Sequence, residues 1–171
     1  MARQLWLLRH ADAEPHGTRP DPERRLTERG ERQARAAGRA LGRMGAAFQA
    51  VLSSPKERAL RTATLALEVW VEGSADAAPP PELELHASLG AGFDGGDALA
   101  ALAGLGSGAR LLVVGHEPDL SGVVATLTGA RIDLKKGGLA VVSLAGAAGE
   151  LVVLLRPAEL ALIAGLATAK L

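Results

Sequence analysis

The chain has 171 residues, the length of one globular domain that buries a core without staples, and its 19 basic side chains cancel 19 acidic ones to a formal net charge of zero. Neutrality gives no basis for nucleic-acid or anionic-membrane partners, so any anion site has to be local. Cysteine is absent, which excludes disulfides, thiolate nucleophiles and Cys-ligated metals.

The first apolar run is too short for a secretory h-region, and no stretch approaches the roughly 18 apolar residues of a membrane span, so a cytoplasmic protein is expected. Missing asparagine and an excess of arginine over lysine fit a heat-adapted source and a GC-rich genome equally well.

In chain order, residues 4–8 read as a buried strand that stops abruptly at Arg9-His10. A helix should start after Thr27 as N-cap, with Glu28 and Glu31 in the first turn where the helix dipole favours carboxylates, and run to about Met44. Residues 50–53 form a second strand; Ser54 then caps a helix with Pro55 at its first position and an apolar stripe at Leu60, Ala63 and Leu67, ending by Gly73. Residues 74–81 are a loop on composition, and residues 82–85 alternate like the solvent face of a short strand.

Helices are expected at 94–105, 118–128 and 157–166, with strands at 111–115, 139–144 and 151–155. Helical crossovers between the first three strands argue for a mostly parallel sheet, and the short glycine-containing link at 145–150 makes a hairpin that brings an antiparallel strand.

Strands of a parallel sheet finish at one edge, so Arg9, His10, the Ser54–Arg58 turn and His116 should converge on one rim. Two guanidiniums can each fork N–H groups onto phosphate oxygens, and a helix start adds backbone donors. Positive neighbours should keep His10 neutral, the form in which a ring nitrogen can attack phosphorus. His116 and the arginines would stabilise the equatorial oxygens, so no metal or other cofactor is called for.

Arg9-His10-Ala11, Leu26-Thr27-Glu28-Arg29-Gly30 with Gln33, Ser53-Ser54-Pro55 with Arg58 and Thr62, and Gly115-His116-Glu117 resemble the ordered motifs of the histidine phosphatase superfamily. The likeness spans about residues 4–144 and in size is nearest to the small SixA-type phosphohistidine phosphatases. It implies a phosphoglycerate-mutase-like three-layer α/β fold with helices on both sheet faces. It also implies His10 as the phosphorylated nucleophile, a phosphate pocket of Arg9, Arg58 and His116, and no metal. Ser54 and Lys136 join the expected substrate-binding set.

Two departures stand out. Ala11 replaces the glycine common in the superfamily, adding a methyl where backbone approaches phosphate, and Arg61 stands where glutamine is frequent. Four carboxylates compete for the proton-donor role: Glu82, Glu84, Glu117 and Asp12. Phosphohistidine leaves as imidazole, a better leaving group than an alkoxide, so the lack of an obvious acid points to a phosphoramidate substrate. With no insertion long enough for a lid, the site should be open and suited to a side chain displayed on another protein.

The expected substrate is thus a phosphohistidine-bearing protein. A small-molecule phosphomonoesterase on the same scaffold and a phosphoryl-binding module without turnover are the alternatives. Other motifs carry less. His16 and His86 lack metal-ligand spacing and should lie at the surface. The G-x-G-x-x-G string at 90–95 follows a strand too polar for a dinucleotide fold, and reads as a loop. Arg24, Arg25, Arg29, Arg32 and Arg35 alternate with Glu23, Glu28 and Glu31 as a solvated helix face laced with ion pairs.

Overall fold

The computed structural model describes residues 2–71 and 80–167. In chain order it contains β1 (Arg3–Arg9), α1 (Glu28–Arg43), β2 (Ala50–Ser53), α2 (Glu57–Trp70), β3 (Leu83–Leu85), α3 (Gly95–Ala103), β4 (Arg110–Gly115), α4 (Asp119–Thr128), β5 (Leu139–Ala145), β6 (Ala148–Leu155) and α5 (Pro157–Ile163). One six-stranded sheet runs in the order β3-β2-β4-β1-β5-β6. The first four of these strands are mutually parallel, β5 is antiparallel to β1, and β6 returns antiparallel to β5.

Helices cover both faces because the inner strands are apolar on both. Leu5 and Leu7 pack with Val113, Leu120, Val124 and Leu102 on the α3/α4 side. Trp6 and Leu8 pack with Ala37, Leu41, Ala63 and Leu160 on the α1/α2/α5 side. This double burial is the mark of a central parallel strand. Running β1 to β2 to β3 outward and then back to β4 puts α1 and α2 on one face and α3 on the other, as right-handed crossovers demand.

Thr27 caps α1 as expected, its hydroxyl oxygen accepting from the Gly30 N–H at 3.0 Å. Ser54 does not cap α2. Lys56 is extended, with φ −67° and ψ 132°, so the helix starts two residues later than the cap pattern suggested. The hairpin turn is the two residues Gly146-Ala147, with Gly146 at φ +74°, so β6 begins earlier than its apolar run. Residues 82–85 do yield a strand, β3, a three-residue edge with Glu84 and Leu85 exposed. Most of the loop expected at 74–81 lies outside the described residues. No helix among the described residues is long and apolar enough to cross a membrane.

Candidate active site

β1 and β4 are neighbours in register, Arg9 opposite Gly115, so the residues that follow each strand emerge side by side. The backbone ladder continues past the strands, with His10 N–H donating to Gly115 O at 3.0 Å and Ser54 N–H to Val114 O at 3.0 Å. As a result the His10 and His116 rings lie with centroids 5.0 Å apart, tilted by 52°. Arg9, His10, Arg58, His116 and Lys136 line one cleft of about 780 Å³.

The backbone behind His10 is held by the small polar residues of the sequence motifs. Ala11 N–H donates to Thr62 Oγ1 at 3.1 Å, and Thr62 in turn donates to Arg58 O at 2.6 Å. Asp12 N–H donates to Gln33 Oε1 at 3.0 Å, and Thr27 donates its hydroxyl to Asp12 Oδ2 at 2.9 Å. Gly30 is required for this approach, because a Cβ there would run into the Asp12 backbone carbonyl. The Ala11 methyl does not face the cleft: it is fully buried against Ala34 and Leu65, so its replacement of glycine leaves the phosphate side free.

His10 Nδ1 lies 2.8 Å from Ala11 O. A carbonyl can only accept, so Nδ1 carries the hydrogen and the neutral ring presents the Nε2 lone pair. Burial lowers the His10 pKa to about 4, with Arg58, Arg9 and Lys136 adding to the effect against the Ala11 hydrogen bond. His116 falls to about 3, chiefly through burial and then through His10, Arg58 and Lys56. Both rings are therefore neutral at physiological pH.

His116 Nε2 pairs with Ser54 Oγ at 2.8 Å, and that oxygen also accepts the Lys56 N–H at 3.2 Å. Ser54 is fully buried and does not line the cleft, so it orients His116 from behind instead of meeting substrate. Arg9 donates from Nη1 to Leu134 O at 2.8 Å, which fixes its guanidinium at the rim. Lys136 arrives there because Gly137 N–H donates to His10 O at 3.0 Å, and its Nζ pairs with Asp12 Oδ1 at 3.2 Å.

Arg58 has a partner that sequence reasoning missed. It donates from Nη1 to Asp21 O at 2.7 Å and from Nη2 to Asp21 Oδ2 at 3.3 Å. Asp21 also takes Lys56 Nζ at 3.0 Å and Arg24 Nη1 at 2.9 Å. These cations, Lys56 foremost, hold its carboxyl well below the usual range. Arg24 is 5% exposed and sits in the loop before α1, which corrects its placement on a solvated helix face. The nearest signal in the sequence was the Asp21/Arg24 spacing in a proline-bounded loop.

Two arginines bridge helices: Arg35 meets Glu68 at 3.3 Å and Arg61 meets Glu31 at 3.6 Å. Arg61 thus reaches α1, and it does not line the cleft. Of the four carboxylates, Glu82 and Glu84 lie on the exposed β3 edge away from the cleft, whereas Asp12 and Glu117 line it. Hydrogen bonds from Thr27 and Lys136 hold Asp12 below its usual pKa despite partial burial. Burial pushes Glu117 up. Gly90 and Gly92 form a cleft wall, and Asp94 and Asp97 form a capping box at the start of α3, which sets carboxylates where a dinucleotide pyrophosphate would approach. His16 is exposed and His86 half-buried beside Phe93. Among the described residues no group of three His, Asp or Glu side chains is placed to hold a metal ion.

A family model for the histidine phosphatase superfamily (branch 1) matches residues 5–79. An uncharacterised protein of Picosynechococcus sp. is 30% identical over 145 residues, spanning 80% of this chain and 82% of the relative. Among solved structures, the protein histidine phosphatase SixA in complex with tungstate superposes with a TM-score of 0.76 at 25% identity, covering 92% of this chain and 99% of that one. A SixA-type protein from Nakamurella multipartitia gives a TM-score of 0.72 at 26% identity, covering 92% and 97%. With its motifs in order, its fold matched over 92% of its length and its two histidines side by side, the chain belongs to the histidine phosphatase superfamily, as a phosphatase of the compact SixA-type architecture.

Proposed function

We propose that this phosphatase removes phosphoryl groups from phosphohistidine on a signalling or phosphotransfer protein, through a covalent intermediate on His10. The observation that carries the reading is the neutral His10–His116 pair at 5.0 Å with His10 Nδ1 engaged by Ala11 O, which leaves Nε2 as the attacking atom. Arg9, Arg58 and His116 bind the three equatorial oxygens as the phosphoryl group moves in line. The N–P bond of the substrate breaks with its electron pair staying on the substrate imidazole, while the Nε2–P bond forms.

Glu117 supplies the proton to the departing nitrogen. It shares the cleft and its carboxyl is held above its ordinary pKa by burial, whereas Asp12 is kept ionised by Lys136 and Thr27. In the second step water attacks phosphorus, the Nε2–P bond breaks, and the Glu117 carboxylate takes the water proton. The nucleophile is an imidazole and the counter-charges are guanidiniums, so the scheme uses no metal.

An imidazole leaving group needs little assistance, and the likeness to SixA, a protein histidine phosphatase, supports the protein substrate. That structure holds tungstate, a tetrahedral oxyanion of the kind this pocket suits. A small-molecule phosphomonoesterase is the second reading, favoured by Lys56 and Arg24 in the cleft wall as extra anion contacts. Specific rates on a panel of phosphohistidine proteins and small phosphomonoesters, with and without EDTA, test the choice. Faster turnover of the proteins, insensitive to chelator, is expected; preference for the monoesters would reverse it, and EDTA inhibition would overturn the metal-free scheme.

A further inference from the structure

A second groove, of about 420 Å³, opens on the other side of the Lys136–Asp12 pair, and its cations are Arg9, Arg29, Lys135, Lys136 and Arg156. Asp12 is the acid in its wall, and Asp133 beside it pairs with Lys135. Five cations against two carboxylates make a strongly positive patch on a chain whose total charge is zero. Arg29 and Arg156 are both exposed. The Arg29 charge helps to hold Asp12 ionised, and Arg156 acts in the same way on the Asp133 that Lys135 already holds.

The groove is continuous with the catalytic cleft, since Arg9, Asp12 and Lys136 line both. One substrate can therefore engage the two at once. Arg29 stands in the first turn of α1, where the helix dipole disfavours a cation, and the acid it acts on, Asp12, is already paired with Lys136. A partner of opposite sign would use the Arg29 charge.

We infer that this groove docks carboxylate side chains flanking the phosphohistidine on the protein substrate, an inference that rests on the protein-substrate reading above. Its field steers an acidic surface toward the cleft and sets which phosphoproteins are processed, with the rim charges acting on encounter more than on chemistry. Substrates of this enzyme should accordingly carry Asp or Glu next to the modified histidine.

The test uses Arg29→Gln, Arg156→Gln and the double variant; the single Arg29→Gln change, on an exposed helix surface, guards against misfolding. On a phosphohistidine protein with acidic flanks, kcat/KM of the double variant should fall about tenfold at low ionic strength and lose most of its salt dependence. Turnover of phosphoramidate should stay within about twofold of the parent, since neither residue is assigned to the chemistry. An equal loss on both substrates, or on neither, would overturn the docking role.

Anisotropy with a labelled, unphosphorylated Glu-rich peptide separates this inference from the substrate reading. Binding to the parent that weakens at least about fivefold in the double variant supports the groove even when phosphohistidine proteins prove poor substrates. No binding to the parent overturns it. A double variant that discriminates a small bisphosphate from a monophosphate, with the peptide unaffected, would replace docking by a second phosphate subsite.

Discussion

The acid limb of kcat/KM should lie near pH 4, not near the 6.5 of a free imidazole, because the folded protein lowers the His10 pKa to about 4. Burial is the main cause, and Arg58, Arg9 and Lys136 push the same way. The active form is neutral, so activity is present above the folded pKa and lost on acidification through it. At pH 5 a group titrating at about 4 is ~90% neutral, whereas an unperturbed one is ~3% neutral, a difference of ~30-fold in kcat/KM. The assay is kcat/KM on phosphoramidate from pH 4 to 8, with substrate ionisation measured separately and divided out. Arg58→Gln should move the limb upward as well as lower the plateau, since it removes one of the cations that disfavour imidazolium. A parent limb near 6.5, unmoved by that substitution, would refute the buried neutral nucleophile.

The same shifts bear on stability. His10 and His116 bind protons less readily folded than unfolded, so stability is present above the unfolded value of 6.5 and is lost as pH falls toward 4, by about 3 kcal/mol for His10 if it titrates alone; urea titrations across that window check it. Asp21→Asn should loosen Arg58, Lys56 and Arg24 together and lower kcat/KM by about 10–100-fold with secondary structure retained by circular dichroism; unchanged kinetics would detach Asp21 from the site. Ser54→Ala leaves His116 Nε2 without its buried partner, and kcat should fall about tenfold while KM holds; a change in KM alone would make Ser54 a substrate contact. Gly30→Ala forces a methyl against the Asp12 carbonyl and should cost about 1–3 kcal/mol in urea unfolding, whereas neutrality would mean the helix start yields freely.

Arg9, His10 and His116 were legible because each follows directly on an uninterrupted apolar run, and a parallel sheet sends the ends of such runs to one edge. Thr27 was readable as a cap because capping is local chemistry. Ser54 obeyed the same local rule and was misassigned, since its hydroxyl meets His116 across 62 positions, a contact no local pattern encodes. Asp21 escaped for a like reason: its partner Arg58 is 37 residues away and its loop has no periodicity. Arg24 looked like one of a row of solvated charges because sequence proximity to α1 carries no information on burial. Strand β3 was legible from the charged/apolar alternation of residues 82–85, although it is only three residues long at a sheet edge.

The central claim is that His10 Nε2 becomes phosphorylated during turnover. Rapid acid-free quenching of the enzyme with a phosphohistidine substrate, followed by phosphorus and nitrogen NMR of the trapped species, tests it most directly. A phosphoryl group on His10 Nε2 that forms and decays at rates compatible with turnover, and is missing in His10→Ala, is the predicted result. Steady turnover by His10→Ala, or a phosphoenzyme carrying its label at any other residue, would contradict it.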